Sequence, residues 1–274
     1  MISVIIPCKK KADLCPELLP SLKNQTCQNF EILIVDDQIC SGSPAEKRDL
    51  GAKKAQGEIL GFIDSDAYPD KNWLKLASQQ LESNSKLAAV CGPGLTPPTD
   101  SKTQKLSGQI WSSYFGAGSL AFRNRQAKPR LVDDYPSFNL FVKQPDFQAV
   151  SGFNTKFWPG EDTKLCHDLV FKLKKQILYQ PNILVYHHRR PILKDHLQQI
   201  SRYGFQRGRF VKLFPKTSLK LIYFLPLLFP FYLPILILAG LYYRSLTLPI
   251  IIILTHLTYA CFFIKGLVTR VEPL

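Results

Sequence analysis

Short apolar runs alternate with stretches of helical apolar spacing along residues 1–95. This pattern predicts three helices and four strands; the helices are Asp13–Gln25, Pro44–Gln56 and Asn72–Glu82, and the strands are Ser3–Pro7, Glu31–Asp37, Glu58–Asp66 and Leu87–Pro93. Strands that alternate with helices predict βαβ units and a mostly parallel sheet. Because ligands of such sheets bind beyond the carboxyl ends of the strands, we expect a site at the residues that follow them.

Residues 96–190 have a less regular pattern. Thr96–Lys128 is rich in proline, glycine, serine and threonine, and we expect a mobile segment over the sheet there, with an ordinary long surface loop as the alternative. Further along, the spacing predicts a helix over Glu161–Gln176 and a strand over Ile183–His187. The mixed pattern therefore resumes after a long connection.

Two apolar runs lie in the last quarter of the sequence. Leu221–Leu241 is nearly uncharged and long enough to cross a bilayer, and Leu248–Ile264 is at the short end of the spanning range. Prolines recur every fourth residue in the first run, at Pro226, Pro230 and Pro234, which predicts a kinked helix. We predict two transmembrane helices; a buried core helix or a re-entrant hairpin is the alternative.

The formal net charge is +14, which indicates an anionic partner. Basic residues crowd directly before the first apolar run, at Arg189, Arg190, Lys194, Arg202, Arg207, Arg209, Lys212, Lys216 and Lys220. Basic residues that flank a membrane segment mark its cytoplasmic side and attract anionic lipid. We therefore expect membrane lipids as a partner and a cytoplasmic N-terminal domain. We expect no nucleic acid, because the sequence carries no nucleic-acid-binding motif.

The spacing of the cysteines predicts a domain with reduced thiols. The seven cysteines show no CxxC spacing and no sequence cluster with histidine, so we expect neither a disulfide framework nor a zinc framework. Met1 leads directly into the first predicted strand, and we expect no signal peptide.

Acidic residues follow two successive strands of the predicted sheet. Asp36 and Asp37 end the second strand, and Asp64 and Asp66 end the third. A single Asp-Ser-Asp is typical of a polar turn. Two such clusters in one βαβ run favour a metal-bound diphosphate, because Mg²⁺ and Mn²⁺ prefer oxygen ligands. A further acidic pair at residues 161–162 opens the later helix, where the helix dipole alone also favours acids.

Six pieces of the sequence carry a recognisable pattern, and they stand in this order: SVIIPCKK, EILIVDD, KRDLGAKKAQGEILGFIDSD, QAVSGFNTKFWPGED, YQPNILVYHHRR and QISRYGFQRGR. In this order, from Ser3 to about Arg209, they resemble the family-2 glycosyltransferases of the GT-A fold. The resemblance implies an α/β GT-A domain over residues 1–190, Rossmann-like, with a mostly parallel central sheet and flanking helices. A basic amphipathic interfacial segment is then expected over residues 191–218, and a membrane anchor with two transmembrane helices over residues 219–274.

The resemblance also implies which residues bind the nucleotide sugar. Pro7 and the turn after it match the nucleotide-binding loop, and Asp37 matches the aspartate that binds a uracil-type base. Arg48 and Gly51 match an Arg-Asn-x-Gly pattern near the diphosphate, in which Asp49 replaces the usual asparagine.

A metal site is implied by the same resemblance. Asp64 and Asp66 match the DxD motif, with Asp66 as the direct metal ligand and Asp64 nearer the ribose. His187 matches the histidine that completes the metal site, and the adjacent His188 is the alternative. The implied cofactor is a divalent metal, Mg²⁺ or Mn²⁺, whose charge offsets that of the departing diphosphate.

The resemblance further implies a catalytic base and an acceptor site. Asp162 matches the base that takes the proton of the acceptor hydroxyl, with Glu161 beside it, and the family precedent is single displacement with inversion. Gln199, Arg202 and Tyr203 resemble the Gln-x-x-Arg-Trp box of membrane polysaccharide synthases, with tyrosine for tryptophan. They are expected to contact the diphosphate and the acceptor; an interfacial helix without a catalytic part is the alternative.

The sequence thus predicts a membrane-anchored, metal-dependent, inverting glycosyltransferase. The expected donor is a nucleotide sugar, UDP-linked, and the expected acceptor is a lipid-linked or polysaccharide glycan. The protein is expected to be a multi-pass protein of the cell membrane that acts at its cytoplasmic face. Two alternatives stay open: transfer directly onto polyprenyl phosphate, and a non-catalytic nucleotide-sugar-binding membrane protein that kept the fold.

Overall fold

The computed structural model describes residues 1–242 and 247–271, which form two compact units. Met1–Leu95 and Arg125–His188 make the first unit, and Thr96–Asn124 joins Arg189–Leu274 in the second. The predicted domain over residues 1–190 included residues 96–124, which the structure groups with the C-terminal segment instead.

All ten strands that the structure describes lie in the first unit. They are β1 (Ile2–Pro7), β2 (Phe30–Val35), β3 (Ile59–Ile63), β4 (Ala67–Pro69), β5 (Leu87–Cys91), β6 (Gly94–Leu95), β7 (Arg130–Val132), β8 (Asn139–Lys143), β9 (Gln176–Tyr179) and β10 (Val185–His187). Seven form the central sheet, in the order β2-β1-β3-β8-β5-β9-β7, and β4, β10 and β6 form a smaller sheet. In the central sheet only β8 and β7 run against the other strands, which confirms the predicted mostly parallel sheet.

Helices alternate with these strands and then make up the C-terminal segment. The described α-helices are α1 (Leu18–Lys23), α2 (Pro44–Lys54), α3 (Trp73–Ser83), α4 (Lys102–Ser112), α5 (Tyr114–Ala117), α6 (Gln144–Ala149), α7 (Glu161–His167), α8 (Lys194–Leu213), α9 (Pro215–Ser218), α10 (Leu221–Phe224), α11 (Phe229–Tyr242) and α12 (Thr247–Val268). Helices α4, α5 and α8 to α12 belong to the second unit.

Asn139, the first residue of β8, ties the two sheets of the first unit together. Its Nδ2 donates to the carbonyl oxygens of Gly92 (2.7 Å) and Ile183 (2.8 Å), and its Oδ1 accepts from Nε1 of Trp73 (2.8 Å). Because Asn139 is fully buried, each of these bonds replaces a lost bond to water. They hold the chain before β10 near the end of β5 and thereby place His187.

The predicted helix over Asp13–Gln25 is wrong in its first half. Helix α1 begins only at Leu18, and a 3-10 turn over Lys11–Asp13 precedes it. Pro16 explains the difference, because a residue that precedes a proline rarely adopts helical backbone angles. Cys15 therefore lies in irregular chain between the two elements.

The predicted helix over Glu161–Gln176 also ends early. Helix α7 ends at His167, a π-helical turn over Asp168–Lys172 follows, and β9 comes next. Lys174 has a φ of 58°, a left-handed conformation that a helix does not continue through. Strand β10 is likewise shorter than the predicted strand over Ile183–His187.

Thr96–Lys128, expected to be a mobile segment or a long loop, is largely helical. Helices α4 and α5 are followed by a 3-10 stretch over Gly118–Asn124. Ser101 and Gln104 form a capping box: Oγ of Ser101 accepts from the N–H of Gln104 (3.4 Å), and Oε1 of Gln104 accepts from the N–H of Ser101 (3.0 Å). The Ser-x-x-Gln spacing signals this helix, although the turn-forming composition around it favoured a loop.

The imidazole of His196 joins three helices of the second unit. Nδ1 lies 3.0 Å from Oγ of Ser107 on α4, and Nε2 lies 3.0 Å from Oγ1 of Thr255 on α12. Burial lowers the pKa of His196 to about 4, so the ring is neutral near pH 7. A neutral imidazole offers one donor and one acceptor, which suits two hydroxyl partners.

Two C-terminal stretches are long and apolar enough to cross a membrane: Leu221–Leu238 and Thr247–Val268. The first consists of α10, a 3-10 turn over Leu225–Leu228 and part of α11. The change in helical hydrogen bonding begins at Leu225, directly before Pro226. The second extends beyond the predicted span over residues 248–264 at both ends. The connection at residues 243–246 lies outside the described residues.

Close packing between α8 and α12 explains the glycines of α8. A Cβ atom at Gly204 would lie 2.7 Å from the carbonyl oxygen of Tyr259, and one at Gly208 would collide with the carbonyl oxygen of Phe263. Gly266 on α12 faces the backbone of α8 as closely. Small residues spaced four apart allow two helix backbones to approach in this way.

Gly208→Ala is expected to loosen this packing and to lower the free energy of unfolding by about 1–3 kcal/mol, the usual cost of overpacking. The added methyl group meets backbone atoms, which cannot rotate away. Thermal unfolding of the full chain in detergent measures the change. Gln198→Ala, at an exposed position of the same helix, is the control, and equal unfolding midpoints for the two variants would contradict the close approach.

Candidate active site

Carboxylates stand just past the ends of β2 and β3 in the first unit. Asp36 is buried, and its Oδ1 accepts from two backbone N–H groups of the following turn (3.2 Å each), which is a turn-forming role. Asp37 is half exposed and pairs with Nζ of Lys47, which also donates to the carbonyl oxygen of Cys8 (2.8 Å). Of the two aspartates, Asp37 has the exposure that contact with a ligand requires.

Arg48 links acidic groups that are far apart along the sequence. Its Nη2 lies 2.6 Å from Oδ1 of Asp64, and its Nη1 lies 3.1 Å from Oε1 of Glu161. The guanidinium is buried, and its Cζ lies 5.7 Å from the ring centroid of Phe153. Arg48 thus joins α2, the chain after β3 and the start of α7 in one network.

Two further residues of α2 set the position of that helix. A Cβ atom at Gly51 would lie 2.6 Å from Cγ2 of Ile5, so glycine is needed for α2 to approach β1 this closely. Oδ1 of Asp49 accepts from the backbone N–H of Phe153 (2.9 Å), a bond for which asparagine offers the same acceptor. Burial raises the pKa of Asp49 to about 6. Aspartate and asparagine can therefore both accept this bond at position 49.

Asp64, Asp66 and His187 form a cluster of potential metal ligands. One carboxylate oxygen of each aspartate and one ring nitrogen of the histidine lie within 4.8 Å of one another. Nε2 of His187 lies 3.1 Å from Oδ1 of Asp66, because β10 pairs antiparallel with β4 and places His187 opposite Ala67. Two carboxylates and one imidazole fit a divalent cation such as Mn²⁺ or Mg²⁺, with coordination positions left for phosphate oxygens and water.

The structure separates the two adjacent histidines. The backbone N–H of His188 donates to the carbonyl oxygen of Asp66 (2.9 Å), but its Nε2 lies 3.5 Å from Oε2 of Glu17. Successive side chains of an extended chain point to opposite faces, so the two rings lie in different surroundings. His187 is the histidine beside the DxD aspartates, and its role as a metal ligand stays a prediction.

Asp162 lies at the start of α7 among other acids. Its Oδ1 accepts from the backbone N–H of Thr163 (2.8 Å). Burial and the nearby charges of Glu161 and Asp134 raise the pKa of Asp162 to about 7, against the opposing effect of the bond from Thr163. A carboxyl group with a pKa near neutrality exchanges a proton readily at physiological pH, which suits a general base.

The remaining predicted residues fall in both units. Pro7 is the last residue of β1 and pairs with Val35 of β2 in the first unit. Gln199, Arg202 and Tyr203 lie on α8 in the second unit, where Nε2 of Gln199 donates to the hydroxyl of Tyr203 (3.2 Å) and Arg202 is exposed. Their roles toward a diphosphate or an acceptor stay predictions.

Sequence reasoning missed the residues that support the site. Lys47 pairs with Asp37. Lys47 is the first residue of the KRDLG sequence that resembles the family, and this position could have indicated it. Asp134, whose Oδ1 accepts from Oγ1 of Thr163 (2.9 Å), had no such signal. It follows the edge strand β7, and tertiary packing alone brings it to α7.

Comparison with known proteins finds relatives along most of the chain. The family described as Glycosyl transferase family 2 matches residues 3–39 and 41–147. Pre-mycofactocin glycosyltransferase of Mycobacterium tuberculosis is 24% identical over 230 residues, which cover 74% of this chain and 46% of that protein. Glycosyltransferase GlyG of Streptococcus pneumoniae is 26% identical over 220 residues, which cover 69% of this chain and 71% of that protein. The chain thus spans about half the length of the first of these relatives.

Solved structures share the fold. Mannosyltransferase PcManGT from Pyrobaculum calidifontis, in complex with GDP-Man and Mn²⁺, aligns with a TM-score of 0.64 at 16% identity and covers 97% of this chain and 87% of its own. TarS of S. aureus, in complex with UDP, aligns with a TM-score of 0.50 at 17% identity over 75% of this chain and 65% of its own. At such identities the likeness shows the fold alone, and it confirms the predicted α/β GT-A architecture.

Proposed function

The chain belongs to glycosyl transferase family 2, and on that premise we propose that it transfers a sugar, with inversion, from a nucleotide-sugar donor to a hydroxyl group of a lipid-linked or polysaccharide acceptor. The family match and the named relatives support glycosyltransferase activity itself. The observation that carries the finer proposal is the proximity of Asp64, Asp66 and His187, with Glu161 joined to Asp64 through Arg48.

Asp66 and His187 are proposed as the direct ligands of a divalent metal, with Asp64 beside the ribose. Such a metal, when bound, offsets the negative charge that develops on the leaving diphosphate. Arg48 holds one oxygen of Asp64 by a contact of 2.6 Å and so restricts the orientation of that carboxylate. Half-exposed Asp37 is proposed to accept hydrogen bonds from the nucleotide base.

Asp162 is proposed as the general base. It takes the proton of the acceptor hydroxyl while the acceptor oxygen forms a bond to the anomeric carbon of the sugar. The bond from that carbon to the diphosphate oxygen breaks, and the nucleoside diphosphate leaves with the electron pair. Glu161 is proposed to position Asp162, because its carboxylate already accepts from Arg48 and from the backbone N–H of Gly160 (2.8 Å).

The donor class and the membrane location are proposed from the structural neighbours and from the C-terminal helices. The complexes of the structural neighbours with UDP and with GDP-Man and Mn²⁺ support a nucleotide-sugar donor and a divalent metal for this chain as well. The two apolar C-terminal helices support membrane association, and the basic residues before them support a cytoplasmic orientation.

A donor screen tests the proposed function. Membranes that contain the protein are incubated with UDP-linked and GDP-linked sugars and a lipid extract, and release of the nucleoside diphosphate is measured. We expect release with at least one donor, dependent on the extract, and NMR of the product should show inverted anomeric configuration. Donor binding without release in any combination would instead support the non-catalytic alternative.

Chelation of divalent cations is expected to lower transfer by at least about 100-fold, since loss of one oxyanion-stabilising group alone commonly costs that much. Added Mn²⁺ or Mg²⁺ should restore the rate. Asp66→Asn should reproduce the loss without rescue by metal, whereas Glu82→Gln, an exposed acid on α3, should behave like the wild type. Full activity in excess chelator would reject metal dependence.

A further inference from the structure

A second cluster of metal-type ligands lies beside the DxD aspartates in the first unit. Sγ of Cys15, a carboxylate oxygen of Glu17 and a ring nitrogen of His188 lie within 4.8 Å of one another. The proposed transfer assigns no role to these three residues. This cluster contains a thiol, whereas the DxD cluster, formed by Asp64, Asp66 and His187, contains only carboxylates and an imidazole.

Backbone hydrogen bonds hold two of these ligands on the turn that follows β3. The N–H of Cys15 donates to the carbonyl oxygen of Ser65 (2.8 Å), and the N–H of His188 donates to the carbonyl oxygen of Asp66 (2.9 Å). Sγ of Cys15 lies 3.5 Å from the carbonyl oxygen of Ala67. Main-chain bonds to one short turn therefore bring the thiol and the imidazole together.

Glu17 completes the cluster from the residue just before α1. Its Oε2 lies 3.5 Å from Nε2 of His188, which is too long for a strong hydrogen bond. A nitrogen and an oxygen ligand of one tetrahedral zinc ion lie about 3.4 Å apart, because each lies about 2.1 Å from the metal. Both side chains are partly exposed, so a Glu–His ion pair alone would contribute little to stability.

We propose that Cys15, Glu17 and His188 bind a zinc ion, with the fourth coordination position open to water or to a substrate group. Thiolate, carboxylate and imidazole are the ligands that zinc takes in proteins. The thiolate disfavours Mg²⁺ at this cluster. A zinc ion held there would connect the chain before α1 to the residue that follows β10. Because Cys15 and His188 are far apart along the chain, no spacing motif indicates this site.

Titration with Co²⁺ tests the site in the metal-free chain, residues 1–274, in detergent. Cobalt(II) substitutes for zinc and reports thiolate coordination by a charge-transfer absorption band in the near ultraviolet. We expect this band in the wild type and its loss when Zn²⁺ is added. Cys15→Ser should lose the band, and Cys27→Ser, at another partly buried cysteine, should keep it. Asp66→Asn should also keep it, which separates this site from the DxD cluster.

His188→Asn and Glu17→Gln are expected to weaken Co²⁺ binding by at least about tenfold, since even residues that only support a metal ligand commonly contribute that much. These two variants test the site should Cys15→Ser fail to fold. The proposal is overturned if the wild type shows no thiolate band, if the band survives Cys15→Ser, or if both other variants bind Co²⁺ with wild-type affinity. Each of these results would leave the proposed sugar transfer untouched, because that transfer depends on the DxD cluster.

Discussion

Asp162→Asn is expected to lower the turnover number by about 10²–10⁴-fold, the usual contribution of a general base, and to leave donor affinity unchanged. Asparagine keeps the size of the side chain and can still accept the hydrogen bond from the backbone N–H of Thr163 (2.8 Å). It lacks the basicity to take a proton from the acceptor. Single-turnover kinetics measure the transfer step, and calorimetric titration with the donor measures binding.

The same residue predicts the pH dependence of the reaction. The deprotonated carboxylate is the active form, and the pKa of Asp162 is raised to about 7. The value of kcat/KM is therefore expected to fall about tenfold per pH unit below pH 7 and to level off above it. Asp162→Glu, which keeps a base, should retain this profile at a lower rate. Unchanged turnover in Asp162→Asn across the pH range would contradict the assignment.

The Asp162→Asn variant also separates the two proposed classes of acceptor. A hydroxyl acceptor must lose a proton during transfer, whereas a phosphate monoester is largely dianionic at neutral pH, with a second pKa of about 6. Transfer onto polyprenyl phosphate should therefore survive the substitution. A variant that is inactive with lipid-linked glycan but active with polyprenyl phosphate would favour the alternative reaction.

Arg48→Met is expected to lower the free energy of unfolding by about 3–5 kcal/mol, because removal of one partner leaves a buried charge uncompensated. Arg48 and Glu161 are both almost fully buried, with Nη1 and Oε1 3.1 Å apart. Methionine fills much of the same volume without charge or hydrogen-bond donors. Thermal unfolding of the full chain in detergent, followed by near-ultraviolet circular dichroism, measures the loss.

A double variant checks that the loss arises from the unpaired charge. Arg48→Met combined with Glu161→Gln should recover much of the stability, since no buried charge then remains in that pair. Lys53→Met, at an exposed position in the last turn of the same helix, should change stability by less than about 0.5 kcal/mol. A double variant no more stable than Arg48→Met would show that the two residues are not coupled.

Local features of the first unit could be predicted from the sequence alone. The short apolar runs predicted β1, β2, β3 and β5, and the helical spacing between them predicted α2 and α3, to within a few residues. These predictions succeed because burial and periodicity are properties of neighbouring residues. Helix α1 was misplaced where the effect of Pro16 on the preceding residue outweighed apolar spacing. The family motifs similarly indicated Asp64, Asp66, Asp162 and His187 as site candidates.

By itself, then, the sequence determined the family, the α/β order of elements, the apolar C-terminal helices and the identity of the acidic candidates. Tertiary structure alone decided which residues meet. It joined Arg48 to Glu161, brought Asp134 to the start of α7, and turned His187 and His188 toward different partners. It also placed residues 96–124, which are largely helical, in the second unit. The physical reason is that such contacts join residues far apart in the chain, whereas apolar periodicity and turn propensity record only what lies nearby.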